Sequence, residues 1–138
     1  MKRVYLDSNV FISFANQEIG SNLRPLFIEA EQFFTLVKKK ECILILSYLF
    51  FDEVKRKCFS DKEQVLGHFK EIEIKTEVIE PEKEIFIGNF VSKGLHYTDA
   101  VHAAIALKEK CDCIITFNIK DFEKVSDKIK VFQPSEFY

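Results

Sequence analysis

The 138-residue sequence has few of the features that divide a chain into parts or direct it to a membrane. It contains four glycines, three prolines and no tryptophan. We find no internal repeat, low-complexity tract or linker, which favours a single domain over residues 1–138. No apolar stretch is long enough to cross a bilayer. The stretches that could mimic a signal peptide are short and are interrupted by Asp7 and Asn9, so we expect a cytoplasmic protein without a signal peptide.

The chain also lacks a basic excess and a recognisable cysteine framework. Its 20 lysine and arginine residues against 22 acidic residues give a formal net charge of −2, whereas nucleic-acid-binding proteins usually carry a positive balance. Local basic runs at residues 38–40 and 55–57 are typical of solvated helix ends. The spacings of the four cysteines match no paired zinc knuckle. We therefore expect reduced, mostly buried thiols.

Several short apolar runs occur along the chain and predict buried strands. These runs lie at residues 4–6, 43–46, 113–116 and 129–132, with a weaker candidate at 76–79. Helical spacing and capping residues between these runs predict six helices. The first three are predicted over 10–15, from Pro25 towards Lys40, and after Ser47. The others are predicted from the capping box at 60–63, from Pro81 to near Gly94, and after Thr98. Strands that alternate with helices indicate an α/β domain with a parallel sheet flanked by helices.

Three acidic residues, Asp7, Glu53 and Asp121, come just after predicted strands or on the helix that follows, and a fourth, Asp99, opens a predicted helix. In an open α/β sheet, ligands bind in the crevice outside the carboxyl ends of the strands. Carboxylates gathered there raise one another's pKa unless a cation neutralises them, and hard oxygen ligands suit Mg²⁺ or Mn²⁺. Each acid alone is typical of a helix cap or a surface ion pair. Together and in this order, the four predict metal-dependent hydrolysis of a phosphate ester.

The order and spacing of these motifs resemble those of the PIN-domain ribonucleases, especially the small VapC-type toxins of prokaryotic toxin–antitoxin pairs. Residues 5–12 (YLDSNVFI) are similar to the family's opening strand and first acid. Ser47 with Glu53 is similar to the strand-end serine and second acid. Residues 96–104 (HYTDAVHAA) and 116–122 (TFNIKDF) are similar to the third-acid helix and the closing motif.

The resemblance implies a PIN-like Rossmannoid fold and a metal-dependent ribonuclease, the toxin of a toxin–antitoxin pair. It implies that Asp7 and Asp99 are the principal ligands of one or two Mg²⁺ or Mn²⁺ ions. Glu53 and Asp121 would bind metal directly or through water. Residues that would orient ligands, waters or phosphate are Ser8, Thr116 and Asn118.

The implied partners are an RNA substrate, a small antitoxin and a second copy of the chain. RNA would lie across the rim of the site, with lysine or arginine side chains on its phosphates. The antitoxin would insert an arginine or lysine among the carboxylates. A homodimer would use the helix over residues 26–37 and the Phe50–Phe51 segment.

Some alternatives stay open at this point. Asp52 neighbours Glu53, and only one of two consecutive helical residues can face the site squarely; the motif favours Glu53. Asn118 stands where some family members carry aspartate, so the fourth carboxylate is Asp121 or is missing. This departure keeps open a non-catalytic PIN-like domain that binds RNA or a protein. We expect His102 to be a packing and hydrogen-bonding residue.

Overall fold

Five short parallel strands form the sheet at the centre of the molecule. The computed structural model describes residues 1–82 and 85–138. The strands are β1 (Arg3–Leu6), β2 (Ile43–Ser47), β3 (Lys75–Ile79), β4 (Cys113–Ile115) and β5 (Lys130–Phe132). All five predicted strands are present, including the weak candidate over 76–79. The α/β class and the flanked parallel sheet predicted from the sequence are therefore confirmed.

The strand order, β3-β2-β1-β4-β5, places β1 at the centre of the sheet. The chain proceeds from β1 to β2 and β3 on one side, and it returns to β4 and β5 on the other. Tyr5 of β1 pairs in register with Ile45 of β2 and with Ile114 of β4. The carboxyl ends of β1 and β4 therefore lie side by side where the direction of winding reverses, which is where open α/β sheets bind ligands.

Helices cover both faces of the sheet. Within the described residues they are α1 (Ser8–Ala15), α2 (Leu26–Lys39), α3 (Tyr48–Cys58), α4 (Lys62–Glu71), α5 (Gly88–Ser92), α6 (Tyr97–Lys108) and α7 (Ile119–Phe122), with short 3₁₀ turns at Ser21–Leu23, Glu123–Val125 and Pro134–Glu136. None of these described helices is long and apolar enough to span a membrane.

Three helix starts differ from the sequence prediction. The helix predicted from Pro81 begins at Gly88; residues 83 and 84, which that prediction also covered, lie outside the described residues. Ile85 and Ile87 are partly buried against the core while Phe86 between them is 76% exposed, so tertiary packing determines the conformation of the segment before α5. Thr98 lies inside α6, which begins at Tyr97. The capping box of α4 pairs Asp61 with Gln64, one residue later than predicted.

Alternate residues of the central strands enter apolar clusters on opposite faces of the sheet. One cluster contains Val4, Leu6 and Leu44, whereas Tyr5 and Ile45 belong to the other. The first cluster holds most of the phenylalanine side chains, including Phe33, Phe34, Phe50 and Phe51. Phe50 and Phe51, which the sequence offered as core or dimer surface, are 0% and 8% exposed in the monomer and pack in this cluster.

The four cysteines are free thiols. Cys42 and Cys113 are buried, and Cys58 and Cys111 are partly buried. Burial raises the pKa of Cys111 and of Cys113 to about 12. These thiols therefore pack as small apolar side chains, as the sequence predicted.

Candidate metal centre

A cleft of about 320 Å³ opens beside the carboxyl ends of β1 and β4. The side chains that line it come from α1 and the residues on either side of it, from α3 and α6, and from the segment after β4: Asp7, Ser8, Asn9, Ile12, Glu18, Glu53, Lys57, Thr98, Asp99, His102 and Asn118. The topology thus brings residues that are far apart in sequence to one side of the central strand. Three of the four predicted acids, Asp7, Glu53 and Asp99, line the cleft.

Asp7 lies at the inner end of the cleft, directly after β1. Its backbone N–H donates to the carbonyl of Ile115, which ties it to the end of β4. It is the N-cap residue of α1, but its side chain makes no capping hydrogen bond to that helix. Only 8% of Asp7 is exposed. Burial raises the pKa of its carboxyl, and His102 and the Thr116 hydroxyl only partly offset this rise.

The hydroxyl of Thr116 organises the polar groups around Asp7. It donates a 2.7 Å hydrogen bond to Asp7 Oδ2. It also accepts from the backbone N–H of Asn118 at 2.9 Å and from Asn9 Nδ2 at 3.2 Å. Asn9 in turn accepts from the Phe117 N–H. Thr116 is fully buried, so this network fixes the Asp7 carboxylate against the segment that follows β4.

Glu53 reaches the same cleft from α3. Ser47 caps this helix by accepting from the Phe50 N–H, as its sequence position predicted. Ser8 Oγ donates to Glu53 Oε2 at 2.7 Å. Burial alone would raise the pKa of Glu53, but hydrogen bonds from His102 and Ser8 hold it below its usual value. The neighbouring Asp52 lies outside this cleft, in a second one.

His102 is 2% exposed and lies behind Glu53. Its Nε2 is 3.1 Å from Glu53 Oε1, and its Nδ1 is 2.5 Å from the Tyr5 hydroxyl. Burial lowers the pKa of His102, but the bond to Glu53 and the charge of Asp7 outweigh this and raise it. The hydrogen-bonding role expected for His102 is confirmed.

Asp99 and Asp121 occupy different positions relative to the cleft. Asp99 lines it from the first turn of α6. Burial raises the pKa of Asp99, and the charges of Asp121 and Asp7 raise it further. Asp121 is not among the lining residues; it accepts a 2.5 Å hydrogen bond from Asn118 Nδ2, and Asn118 is the one that lines the cleft.

Among the described residues, one ligand atom each from Asp7, Glu53 and His102 lies within 4.8 Å of the others. Two carboxylates this close can share a single cation, while both ring nitrogens of His102 are engaged in hydrogen bonds, one of them to Glu53. The raised pKa of Asp7 reflects a buried anion that a cation would stabilise. The donor set therefore fits a divalent ion, with Asp99 on the wall of the same cleft.

These features agree with the comparison to known families. A family model described as PIN domain matches residues 4–128. The chain belongs to the PIN domain family. PIN domains are typically metal-dependent nucleases, and in this one the candidate metal site lies at the topological switch point of the sheet. None of the curated proteins compared with this PIN domain matches it.

Several lining residues of the PIN domain escaped the sequence analysis as site residues. Lys57 follows Glu53 by four residues, a spacing that places both on one side of α3. Asn9 follows Asp7 by two, and the sequence analysis used it only as a capping residue. Thr98 precedes Asp99. The contact between Tyr5 and His102 has no local signal, because it joins the middle of β1 to α6.

Proposed function

We propose that this PIN domain is a Mg²⁺- or Mn²⁺-dependent endoribonuclease that hydrolyses RNA phosphodiester bonds. The observation that carries the proposal is that carboxylate oxygens of Asp7 and Glu53 lie within 4.8 Å of each other, beside His102 and in a cleft that Asp99 also lines. Burial makes the charge of Asp7 unfavourable, and a bound cation would stabilise it. The place of these carboxylates at the carboxyl ends of the strands is the usual place for a ligand.

In this proposal Asp7 and Asp99 are the principal metal ligands, and Glu53 and Asp121 assist directly or through water. A bound divalent ion would supply activation of the attacking water and stabilisation of charge on the scissile phosphate. The ligand set is mostly carboxylate oxygen, which suits Mg²⁺ and Mn²⁺.

The remaining residues hold the reacting groups in place. Thr116 fixes Asp7 through its 2.7 Å hydrogen bond, and Ser8 fixes Glu53 in the same way. Asn118, at the mouth of the cleft, would orient a water or a phosphate oxygen. Lys57 also lines the cleft, where its ammonium would contact a phosphate of the bound RNA.

Cleavage assays on purified protein test the proposal. Wild-type protein should cleave RNA with Mg²⁺ or Mn²⁺ and should stop when EDTA is added. Asp7→Asn and Asp99→Asn should each lose nearly all of this activity while keeping their fold by circular dichroism. Full metal-dependent activity in both variants would contradict the site assignment.

A second candidate function follows from Asn118, which supplies an amide at a position where a fourth acid would strengthen metal binding. A non-catalytic PIN-like domain that binds RNA or a protein would keep the cleft and lose the reaction. Wild-type protein that binds RNA but cleaves none with either ion would favour this function.

We propose further that the protein is the toxin of a type II toxin–antitoxin pair. An antitoxin that inserts an arginine or lysine between Asp7 and Asp99 would replace the charge of the metal and block the site. Copurification with the product of the adjacent gene should yield a small protein with a basic tail. Inhibition that survives removal of every basic residue in that tail would contradict this account.

We also propose a homodimer, with the start of the predicted helix over residues 26–37 at its interface. Ile19, Leu23 and Ile28 are 59%, 84% and 39% exposed around the start of α2. A second copy would cover these apolar side chains. Light scattering at high micromolar concentration should give twice the monomer mass, and a monomer there would exclude the dimer.

A further inference from the structure

A chain of hydrogen bonds between buried polar side chains runs behind Glu53. The Tyr5 hydroxyl is bonded to Ser47 Oγ at 3.1 Å and to His102 Nδ1 at 2.5 Å. On the other side of the ring, His102 Nε2 lies 3.1 Å from Glu53 Oε1. Tyr5 and Ser47 are fully buried, and His102 nearly so. The chain therefore links β1, the end of β2 and α6 to one carboxylate.

The acceptor chemistry of Glu53 determines the direction of the last bond. An ionised carboxylate only accepts hydrogen bonds, so the proton between it and the ring belongs to His102 Nε2. The Tyr5 hydroxyl can either donate to Nδ1 or accept from it, because a hydroxyl does both. In both arrangements His102 donates to Glu53, and every atom of the chain has a partner.

Both oxygens of Glu53 are consequently held by donors of the protein. His102 holds Oε1, and Ser8 holds Oε2 at 2.7 Å. A glutamate side chain has several rotatable bonds, and fixing them opposes conformational entropy. A network of buried polar side chains destabilises a core unless each of its hydrogen-bonding groups has a partner. Apolar side chains could fill the same space without this requirement. This chain instead ends on the one acid that reaches the cleft from α3.

We propose that His102 and Tyr5 are positioning residues for metal binding, with Tyr5 acting through His102 to hold Glu53 in the orientation that receives the cation. The inference rests on the proposed function, because it concerns the same metal centre. His102 is a hydrogen-bond donor to a ligand here, not a ligand itself. Partners of this kind typically contribute about 10- to 100-fold to metal affinity.

Mn²⁺ titrations followed by the electron paramagnetic resonance of the free ion test this role without any activity readout. Tyr5→Phe keeps the ring in the core and removes only the hydroxyl. We expect Mn²⁺ binding about tenfold weaker than wild type in Tyr5→Phe. His102→Gln, which keeps an N–H donor, should lose about as much, whereas His102→Leu should lose about 100-fold. Tyr48→Phe is the matched control, because Tyr48 lies in the neighbouring cleft with Asp52; its affinity should equal wild type.

The outcomes separate this inference from the proposed function. Unchanged Mn²⁺ affinity in a folded Tyr5→Phe and His102→Gln would overturn the positioning role and leave the metal centre intact. A directly bound nitrogen in the Mn²⁺ spectrum of wild type, absent in His102→Gln, would overturn it too, since His102 would then be a ligand. Wild-type protein that binds no Mn²⁺ would overturn the proposed function together with the inference. If His102→Leu fails to fold, the two conservative variants decide.

Discussion

The Thr116 hydroxyl donates a 2.7 Å hydrogen bond to Asp7 Oδ2, and this bond joins the ends of β4 and β1 at the inner end of the cleft. Asp7 is the most deeply buried acid of the candidate metal centre, at 8% exposure. A carboxylate in that position needs donors on its oxygens or a cation beside it. Thr116 supplies the donor, and the cleft provides room for the cation.

Replacing Thr116 with valine should therefore affect both stability and metal binding. The Asn118 N–H and the Asn9 amide would lose their acceptor, so the free energy of unfolding should fall by about 1–3 kcal/mol. Mn²⁺ affinity should fall about 10- to 100-fold, because Asp7 loses its fixed orientation. Urea unfolding and Mn²⁺ titration measure the two effects. Thr35→Val is the control: its exposed hydroxyl bonds only to the Glu31 carbonyl in the same helix, so it should change little.

Asp99→Asn should separate catalysis from stability. The raised pKa of Asp99, caused first by burial and then by Asp121 and Asp7, means that its charge is unfavourable in the metal-free folded state. At pH 8 in EDTA the variant should therefore melt no lower than wild type. It should also lose most of the Mn²⁺-induced rise in melting temperature, which follows from metal binding to the folded state alone.

The stability difference between Asp99→Asn and wild type should depend on pH in a direction that the raised pKa of Asp99 determines. The folded state holds a proton on Asp99 more tightly than the unfolded chain does, so the charge penalty exists above the raised pKa and vanishes below the ordinary aspartate value. The stability difference between Asp99→Asn and wild type should shrink as the pH falls through the raised pKa. A variant that melts lower at pH 8 and keeps the full Mn²⁺ shift would instead make Asp99 a helix-start residue.

Lys57→Gln should weaken RNA binding and its dependence on salt. In EDTA, where cleavage is blocked, removal of one phosphate contact should reduce the slope of log affinity against log salt by about 0.7 to 1. Fluorescence anisotropy with a labelled RNA measures this slope. Lys55→Gln, from the adjacent cleft, carries the same charge change, and it should leave the slope unchanged if Lys57 is the contact.

Phe59 offers a stability prediction away from the site. It ends α3 in the left-handed conformation, at φ 57°, and its side chain is 89% exposed. The left-handed conformation costs a residue with a Cβ roughly 1–2 kcal/mol. Phe59→Gly should therefore raise the free energy of unfolding by about 1 kcal/mol. Phe59→Ala keeps the Cβ and should not; equal gains in both variants would refute the strain explanation.

The sheet was predictable because its signals are local. Short apolar runs such as residues 43–46 need only to be buried on both faces to become strands of a parallel sheet. The start of α5 was not predictable from Pro81, because the packing of Ile85 and Ile87 against the core overrides the local helix-start signal. The Phe50–Phe51 pair could not be assigned from the sequence for a related reason: an apolar pair can pack in a core or against a partner, and only the fold distinguishes the two.

The sequence could predict which residues form the candidate site, but not the contacts between their side chains. The order of Asp7, Glu53 and Asp99 along the chain, the first two just after strands and the third at the start of a helix, indicated that they would meet. The chain from Tyr5 through His102 to Glu53 joins β1, α6 and α3, and no sequence spacing encodes such a contact. Asp121 is the opposite case: its sequence motif matched, but its side chain is not among those that line the cleft.

The most direct test of the metal-dependent nuclease uses two neighbouring acids of one helix. Glu53→Gln removes a charge that faces the candidate metal centre, whereas Asp52→Asn removes the same charge one residue away, outside the cleft. The measurement is the rate of RNA cleavage with saturating Mn²⁺, together with Mn²⁺ affinity. We predict that Glu53→Gln loses most of both and that Asp52→Asn keeps wild-type values. Equal cleavage by the two variants would contradict the account.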